Sequence, residues 1–482
     1  MLDLRPVVRV IGVIVATFGV TMLPPMLLDL FLGNGTSGTF GVSGFVTFML
    51  GLIMALATWN SRDAGLTIKQ TYLLMASVFA VLPVFGAIPF IVGPANLSFT
   101  DAFFEAMSGL TTTGATIMTD ISQQHEGLLL WRGMLQWFGG VSVIIVALAF
   151  LPLLGVGGME LFRWDSDHAL GNVLPRAAEV TRTVSTIYLG FSVICCLAYL
   201  LAGLKPLDAV VYAMTTMATG GFGNYDDSFQ SLGPAAEYVG ALFMFLAALP
   251  FLRYGDLIKR KVSPLLSDSQ ISTFVKIIFV IVMSLLAWQI FVNDVPLEQA
   301  FRKSLFNGIS ILTGTGFVSD DYGAWGAFPV TLIFIIGFIG GCAGSTTCSI
   351  KVFRFQLLFA TILARVLKLR SPHMVNVPRY DGKQVAPEVV NSVLLFLIVF
   401  FFTLAVTTVL LSLTGLDFIT SLSGAASALA NIGPGLGDEI GPNGNYAELD
   451  EFAKWVLSFV MLAGRLELFA VFAVLSISFW RQ

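Results

Sequence analysis

A short polar break recurs four times along this chain, always between apolar segments, and it restricts the possible folds more than any other feature. It reads Leu110-Thr111-Thr112-Thr113-Gly114-Ala115-Thr116, then Ala218-Thr219-Gly220-Gly221-Phe222, then Leu312-Thr313-Gly314-Thr315-Gly316-Phe317, then Ala430-Asn431-Ile432-Gly433-Pro434-Gly435. The residues ahead of the first two copies match as well. Aligned without gaps, Asp101 falls on Asp208, Ala106 on Ala213, Met107 on Met214, Thr112 on Thr219 and Gly114 on Gly221. Such an internal repeat means one structural unit copied along the chain, each copy leaning on its neighbours to bury its apolar face. One copy alone reads as an ordinary glycine loop. Four in register do not.

The surroundings of the break decide its meaning. The chain is 56% hydrophobic and only 12% charged, with a mean hydropathy of +0.85, which implies an all-α polytopic membrane protein. Two helices come first, near 7–32 and 42–59. Each repeat then reads as a helix, a short re-entrant helix ending in the break, and a second helix. The first repeat uses 70–94, 100–110 and 127–155, and the second uses 184–203, 208–218 and 236–252. The third uses 271–293, 297–311 and 327–365, and the fourth 388–415, 417–430 and 452–479. About ten spanning helices are expected, with units at 1–66, 67–165, 166–262, 263–384 and 385–482. The apolar run from Ile11 continues past Pro24-Pro25, which reads as a retained helix and not a cleaved signal.

Non-helical backbone at membrane depth is tolerated only where protein or a water-filled path shields it. Four short helices, each ending in an extended Thr/Gly segment, can present rings of backbone carbonyls around one axis. Such rings replace the hydration shell of a potassium-like cation. Glycine at the same place in each copy allows positive φ and close backbone approach. The candidate ligands are the carbonyls of Thr112, Thr113 and Gly114, of Thr219, Gly220 and Gly221, of Gly314, Thr315 and Gly316, and of Asn431, Ile432 and Gly433.

Charge sets the orientation. Arg5, Arg9, Arg62, Lys69, Arg163, Arg176, Arg182, Arg253, Lys259, Arg260, Lys261 and the basic stretch Lys351 to Lys383 all fall on one side, as does Arg481. That side is assigned as cytoplasmic, with both termini inside. Arg132, Lys205, Arg302, Lys303 and Lys454 are exceptions near the outer ends of helices. The outer side carries Asp120, Glu126, Asp226, Asp227, Asp320, Asp321, Asp438, Glu439, Glu448, Asp450 and Glu451, a set of carboxylates that concentrates cations at a mouth.

Other function classes fit less well. His125, His168 and His373 fall in predicted loops or interfaces, so no catalytic or metal cluster forms within the membrane. Cys195, Cys196, Cys342 and Cys348 have neither a disulfide framework nor metal-ligand spacing. A coupled carrier also uses broken helices, but the mid-span regions hold almost no Asp or Glu for a relay. No Gly-x-x-x-x-Gly-Lys-Ser/Thr nucleotide loop is present, so any nucleotide control comes from a partner.

These motifs resemble the Trk/Ktr/HKT superfamily of potassium and sodium transport proteins, most nearly the bacterial Trk-type membrane subunit. The resemblance covers nearly the whole chain. It rests on Asp101 to Thr116, on Gly340 to Arg354 (GGCAGSTTCSIKVFR) and on Ala430 to Gly437 (ANIGPGLG). It implies two N-terminal helices plus four membrane-pore-membrane repeats around one ion pore, in a multi-pass protein of the bacterial inner membrane. It also implies a homodimer and a cytosolic ring of NAD/ATP-binding, TrkA-like regulatory subunits. K+ is then the transported ion, with sodium- or proton-coupled symport as the alternative, and with no organic cofactor, nucleic acid or enzymatic activity. Sodium-preferring plant relatives carry serine at the first filter glycine, where this chain keeps Gly114.

The third repeat's inner helix is interrupted at Gly340-Gly341-Cys342-Ala343-Gly344-Ser345-Thr346-Thr347-Cys348, since three glycines and a Ser/Thr run cannot continue a helix smoothly. The resemblance implies an intramembrane gating loop here. This chain has Thr347, Cys348 and Ser349 where family members often carry further glycines. Arg465, near the middle of the last predicted span, costs roughly 2.5–3.5 kcal/mol on insertion scales and so should face water or a bundle interior. The resemblance places it in the pore beneath the filter; a structural ion pair with Glu467 is the other reading.

Overall fold

The computed structural model describes residues 3–61, 66–149, 157–162, 173–259, 263–371 and 377–481. Arg62, Arg163, Arg260, Lys261, His168, His373 and the side chain of Arg176 lie outside the described residues, as does the expected boundary at 165/166. Among the described residues seven helices are long and apolar enough to cross a membrane. The count becomes nine when two bent pairs are each taken as one span. The only strands among the described residues are a hairpin pairing Arg379–Tyr380 with Lys383–Gln384.

Three expected continuous helices are broken, each differently. The segment 236–252 divides into Pro234–Ala247 and Phe251–Leu257, bent by 92°. Pro250 is the cause, because its ring and missing N–H end a helix before it. The segment 452–479 divides into Glu451–Arg465 and Phe469–Leu475, bent by 114°, with Glu467 and Leu468 both at positive φ. The segment 327–365 becomes Ala327–Ile336 and Val352–Arg370 with an irregular loop between them. The first span is also interrupted, at Thr21-Met22, ahead of Pro24-Pro25.

Four short helices, Phe99–Leu110, Pro206–Met217, Leu297–Leu312 and Phe418–Ala430, lie inside this frame. Their starts follow local chemistry. Ser98 Oγ accepts from the Asp101 amide at 3.1 Å and Asp417 Oδ1 from the Thr420 amide at 3.1 Å, as N-caps should. Every residue from Ala102 to Leu110 and from Thr420 to Ala430, Leu422 apart, is buried, so these helices are enclosed on all sides. Two apolar cores surround them. One joins the first and fourth repeats, through Phe104, Leu135, Phe396 and Met461. The other joins the second and third, through Tyr212, Phe229, Phe306 and Phe317, and reaches Ile144 and Ile432 across the centre.

Candidate functional site

All four short helices end the same way. Within two residues of the helix end the chain enters the left-handed region, with Thr112, Thr219, Gly314 and Asn431 at φ of 50°, 49°, 68° and 52°. The next amide donates to the carbonyl five residues back. Thr113 bonds Ser108 at 2.9 Å, Gly220 bonds Thr215 at 2.9 Å, Thr315 bonds Ser310 at 2.8 Å and Ile432 bonds Ser427 at 3.0 Å. This six-to-one bond closes a helix end and satisfies a carbonyl that would otherwise be orphaned. Gly114, Gly221, Gly316 and Gly433 follow, all at positive φ.

The four turns meet in a closed circle. A Cβ built on Gly114 would strike the carbonyl oxygen of Gly220, and one on Gly221 that of Thr315. One on Gly316 would strike that of Ile432, and one on Gly433 would stand 2.8 Å from that of Thr113. Each glycine thus faces the carbonyl of the residue before the glycine in the next repeat, and the fourth returns to the first. Real Cβ atoms essentially never come within 3.0 Å, so each of the four positions excludes a side chain. A cavity of about 70 Å³ opens against all four glycines and is also lined by Arg132, Asp226 and Tyr446. Among the described residues no group of three His, Cys, Asp or Glu side chains is placed to hold a metal. The oxygens that the four ring glycines face are all backbone carbonyls.

Side chains from neighbouring helices fix the ring. Gln136 is fully buried on Glu126–Ala149; its Nε2 donates to the Gly220 carbonyl at 2.5 Å and its Oε1 accepts from the Phe222 amide at 3.0 Å. One turn away, Arg132 donates from Nε to Glu105 at 2.9 Å, from Nη1 to the Gly223 carbonyl at 2.8 Å and from Nη2 to Thr116 at 3.1 Å. Positions i and i+4 share a helix face, so one helix clamps the turns of two repeats. In the fourth repeat the Ser427 and Tyr446 hydroxyls both donate to the Gly433 carbonyl at 2.7 Å. Asn431 Nδ2 donates to Thr113 Oγ1 at 2.8 Å.

Four of the five basic exceptions, all but Lys205, are explained by ion pairs. Arg132 holds Glu105, Arg302 and Lys303 hold Glu237, and Lys454 holds Asp101 at 2.6 Å. In the loop after the second turn the Tyr225 hydroxyl donates to Asp208 at 2.8 Å, and burial together with that carboxylate pushes its pKa up to about 12.

Below the ring, residues 337–351 form the irregular loop. Gly340, Gly341, Cys342, Ala343, Gly344, Ser345 and Thr346 all lie in it and are buried. The kink at Pro250 frees two carbonyls that receive it. The Cys342 amide donates to Ala248 at 3.0 Å, and Thr346 donates to Ala247 from its hydroxyl at 3.1 Å. In return the Phe251 amide donates to Gly344 at 3.0 Å, and Gln270 Oε1 accepts from the Ala343 amide at 2.9 Å. Arg465 is buried and reaches the loop, its Nη1 donating to the Thr346 carbonyl at 3.3 Å and contacting Cys348 Sγ. Its Nη2 donates to the Gly139 carbonyl at 3.4 Å.

Two sequence readings are corrected here. Glu467 is not the partner of Arg465; it pairs with Arg354, a fully buried side chain that also donates to the Gly157 carbonyl at 2.9 Å. Nor does the whole basic stretch from Lys351 to Lys383 face a solvated side: Lys351 and Arg354 are both buried, and Lys351 Nζ donates to Thr347. The exposed basic residues of that stretch are Arg365, Lys368, Arg370, Arg379 and Lys383. The structure brings Thr113, Gly114, Gly220, Gly221, Thr315, Gly316, Ile432 and Gly433 into one circle and Gly314 beside the Asn431 carbonyl, while Thr112 and Thr219 hold the left-handed positions ahead of their turns. Gln136 went unnoticed in the sequence and Arg132 was read only as a charge exception, although an arginine and a glutamine four apart in an apolar helix were a signal that they face protein.

These features define a polytopic membrane protein built around a ring of four re-entrant helix ends. The chain belongs to the TrkH family: the family model, described as a cation transport protein, matches residues 42–479. It is 38% identical over 479 residues to the Trk system potassium uptake protein TrkI of Halomonas elongata, covering 99% of this chain and 97% of that one. It is 32% identical to the Trk system potassium uptake protein TrkH of Escherichia coli K12, covering 99% of both. The crystal structure of the potassium transporter TrkH from Vibrio parahaemolyticus superposes with a TM-score of 0.92 at 31% identity over the whole of both chains.

Proposed function

We propose that this chain carries out potassium uptake across the bacterial cytoplasmic membrane, as a multi-pass protein with both termini inside. The observation that carries this reading is the closed circle in which each ring glycine packs against the next repeat's carbonyl. A ring of backbone carbonyls, one from each repeat, suits a dehydrated monovalent cation. Ions enter from the carboxylate-rich outer side, shed water at Thr112 to Gly114, Thr219 to Gly221, Gly314 to Gly316 and Asn431 to Gly433, and then meet the loop Gly340 to Thr346. Inward movement gains about 2.3 kcal/mol per charge for each 100 mV of potential. The buried carboxylates Glu105 and Glu237 and the partly buried Glu467 each hold a basic side chain, which favours channel-like passage over proton coupling through these three.

The loop acts as the gate, with Arg465 beside it as an electrostatic barrier. A cytosolic nucleotide-binding regulatory subunit controls opening, and the working unit is a homodimer. The test is uptake by liposomes holding the purified protein. Potassium and rubidium should enter well ahead of sodium, and deletion of Ala343 to Ser349 should raise the rate without a partner. Equal entry of sodium would overturn the selectivity, and a deletion without effect would move the gate elsewhere.

A further inference from the structure

The four residues that end the short helices share a backbone conformation but not a side chain. Thr112, Thr219 and Asn431 hold it at φ of 50°, 49° and 52°, while the third repeat has Gly314 at 68°. Threonine adopts this conformation twice in the same molecule, so the backbone does not by itself demand glycine at 314. The difference lies in what sits below. A Cβ on Gly314 would stand 3.4 Å from the Asn431 carbonyl oxygen and 3.9 Å from the Cys348 amide nitrogen. Cys348 belongs to the irregular loop. The next residue, Ser349, donates its hydroxyl to the Ala430 carbonyl at 3.2 Å and to the Gly337 carbonyl at 2.8 Å. The same limb of the loop is therefore drawn up under the third and fourth turns together. A Cβ fits that space at ordinary contact distance. A threonine adds two γ atoms one bond beyond that Cβ, in a space bounded by the backbone of Asn431, Ala430 and Cys348.

We infer that Gly314 is the seat of the loop: the side chain missing from the third turn is the space into which Cys348 and Ser349 close. Gly314 is on this account a positioning residue for the gate, besides lending its carbonyl to the filter. The inference rests on the proposed reading of the loop as the gate. It explains why one turn of four departs from a side chain at this position, and why the loop sits under the third and fourth repeats.

The test uses the full-length protein in liposomes without any partner, with rubidium uptake as the readout. Four proteins are compared with the wild type: Gly314→Ala, Gly314→Thr, the deletion of Ala343 to Ser349, and Gly314→Thr within that deletion. Gly314→Thr should raise uptake several-fold, Gly314→Ala by less, and Gly314→Thr should add nothing once the loop is gone. An inert Gly314→Thr beside an active deletion overturns this inference alone. A deletion that leaves uptake unchanged overturns the gating reading and this inference with it. If Gly314→Thr prevents folding of the intact chain, the deletion background decides: recovery of folded protein there supports a clash with the loop, and continued misfolding overturns it.

Discussion

The ring of four turns and the loop beneath it face the same difficulty, irregular backbone in a place without bulk water, and they resolve it differently. Each turn of the ring satisfies itself locally, through the bond from the residue before its glycine to the carbonyl five residues back. The loop closes on itself only in part, the Gly340 amide donating to the Ile350 carbonyl at 2.9 Å and the Gly341 amide to Thr347 Oγ1 at 3.1 Å, and borrows the rest from other elements. Its partners are the Ala247 and Ala248 carbonyls of the second repeat, Gln270 of the third and Arg465 of the fourth. Local closure repeated four times makes a fixed rim of carbonyls. Borrowed closure makes a segment whose partners sit on separate helices, so that a shift of one helix releases it. The first suits selection and the second suits gating.

Alanine at a ring glycine breaks the comparison most severely. The Cβ of Gly316→Ala would fall deepest into its neighbour's carbonyl, and that of Gly433→Ala least deeply. Backbone strain of about 1–3 kcal/mol at such positions is roughly tenfold or more in any equilibrium the ring controls. Rubidium uptake should therefore be lost in Gly316→Ala and only reduced in Gly433→Ala. Equal uptake in the two would contradict the circle as described.

The two arginines near the loop should separate cleanly. Arg354→Ala strands Glu467 without a cation and should cost roughly 3–5 kcal/mol of stability, seen as a large fall in detergent melting temperature. Arg465→Ala leaves no buried carboxylate unpaired, because Glu467 is held by Arg354. It also removes a repulsion of roughly 1 kcal/mol in water, or roughly 4 kcal/mol at an intermediate dielectric, for a cation about 4 Å away. Faster uptake at near-native melting temperature is expected. A destabilised Arg465→Ala without added flux would return this residue to a structural role.

A smaller effect is expected where side chains support the ring from behind. Gln136→Leu removes the bonds to the Gly220 carbonyl and Phe222 amide and leaves both groups buried, at a cost of about 1–3 kcal/mol each. Sodium competition against rubidium should strengthen while uptake persists. Smallest of all is Asp417→Ala, which removes an exposed N-cap worth about 1 kcal/mol or less. Hydrogen bonds from the Thr420 side chain, and from the Thr420 and Ile419 amides, hold its carboxyl below the ordinary range. A carboxylate with a lowered folded-state pKa stabilises above its unfolded value, and that contribution fades as pH falls through the folded one. The melting-temperature gap between wild type and Asp417→Ala should be full above a pH of about 4 and narrow below it.

What the sequence made legible follows the same division. Gly114, Gly221, Gly316 and Gly433 were visible because a locally closed turn leaves its requirement, positive φ without a side chain, in the residue itself. The interruption at Gly340 to Cys348 was visible for a similar reason. The partners of the loop were not, since nothing local to Arg354 or Glu467 says which helix will face them. Adjacency in sequence suggested Arg465 for Glu467, and tertiary packing chose Arg354. Of the bends, the one at Pro250 carried its own signal. The one at Glu467 and Leu468 carries no proline, and only the contacts around it account for the turn.

The central claim is that a rim of four carbonyls, kept open by four glycines, selects the ion. It is tested most directly by comparing sodium and potassium as competitors of rubidium uptake in liposomes for the wild type and Gly114→Ser. A serine Cβ there would press on the Gly220 carbonyl of the next repeat. The account predicts that potassium competes far better than sodium in the wild type and that this advantage shrinks sharply in a folded Gly114→Ser protein. An unchanged ratio of competition in that variant would contradict it.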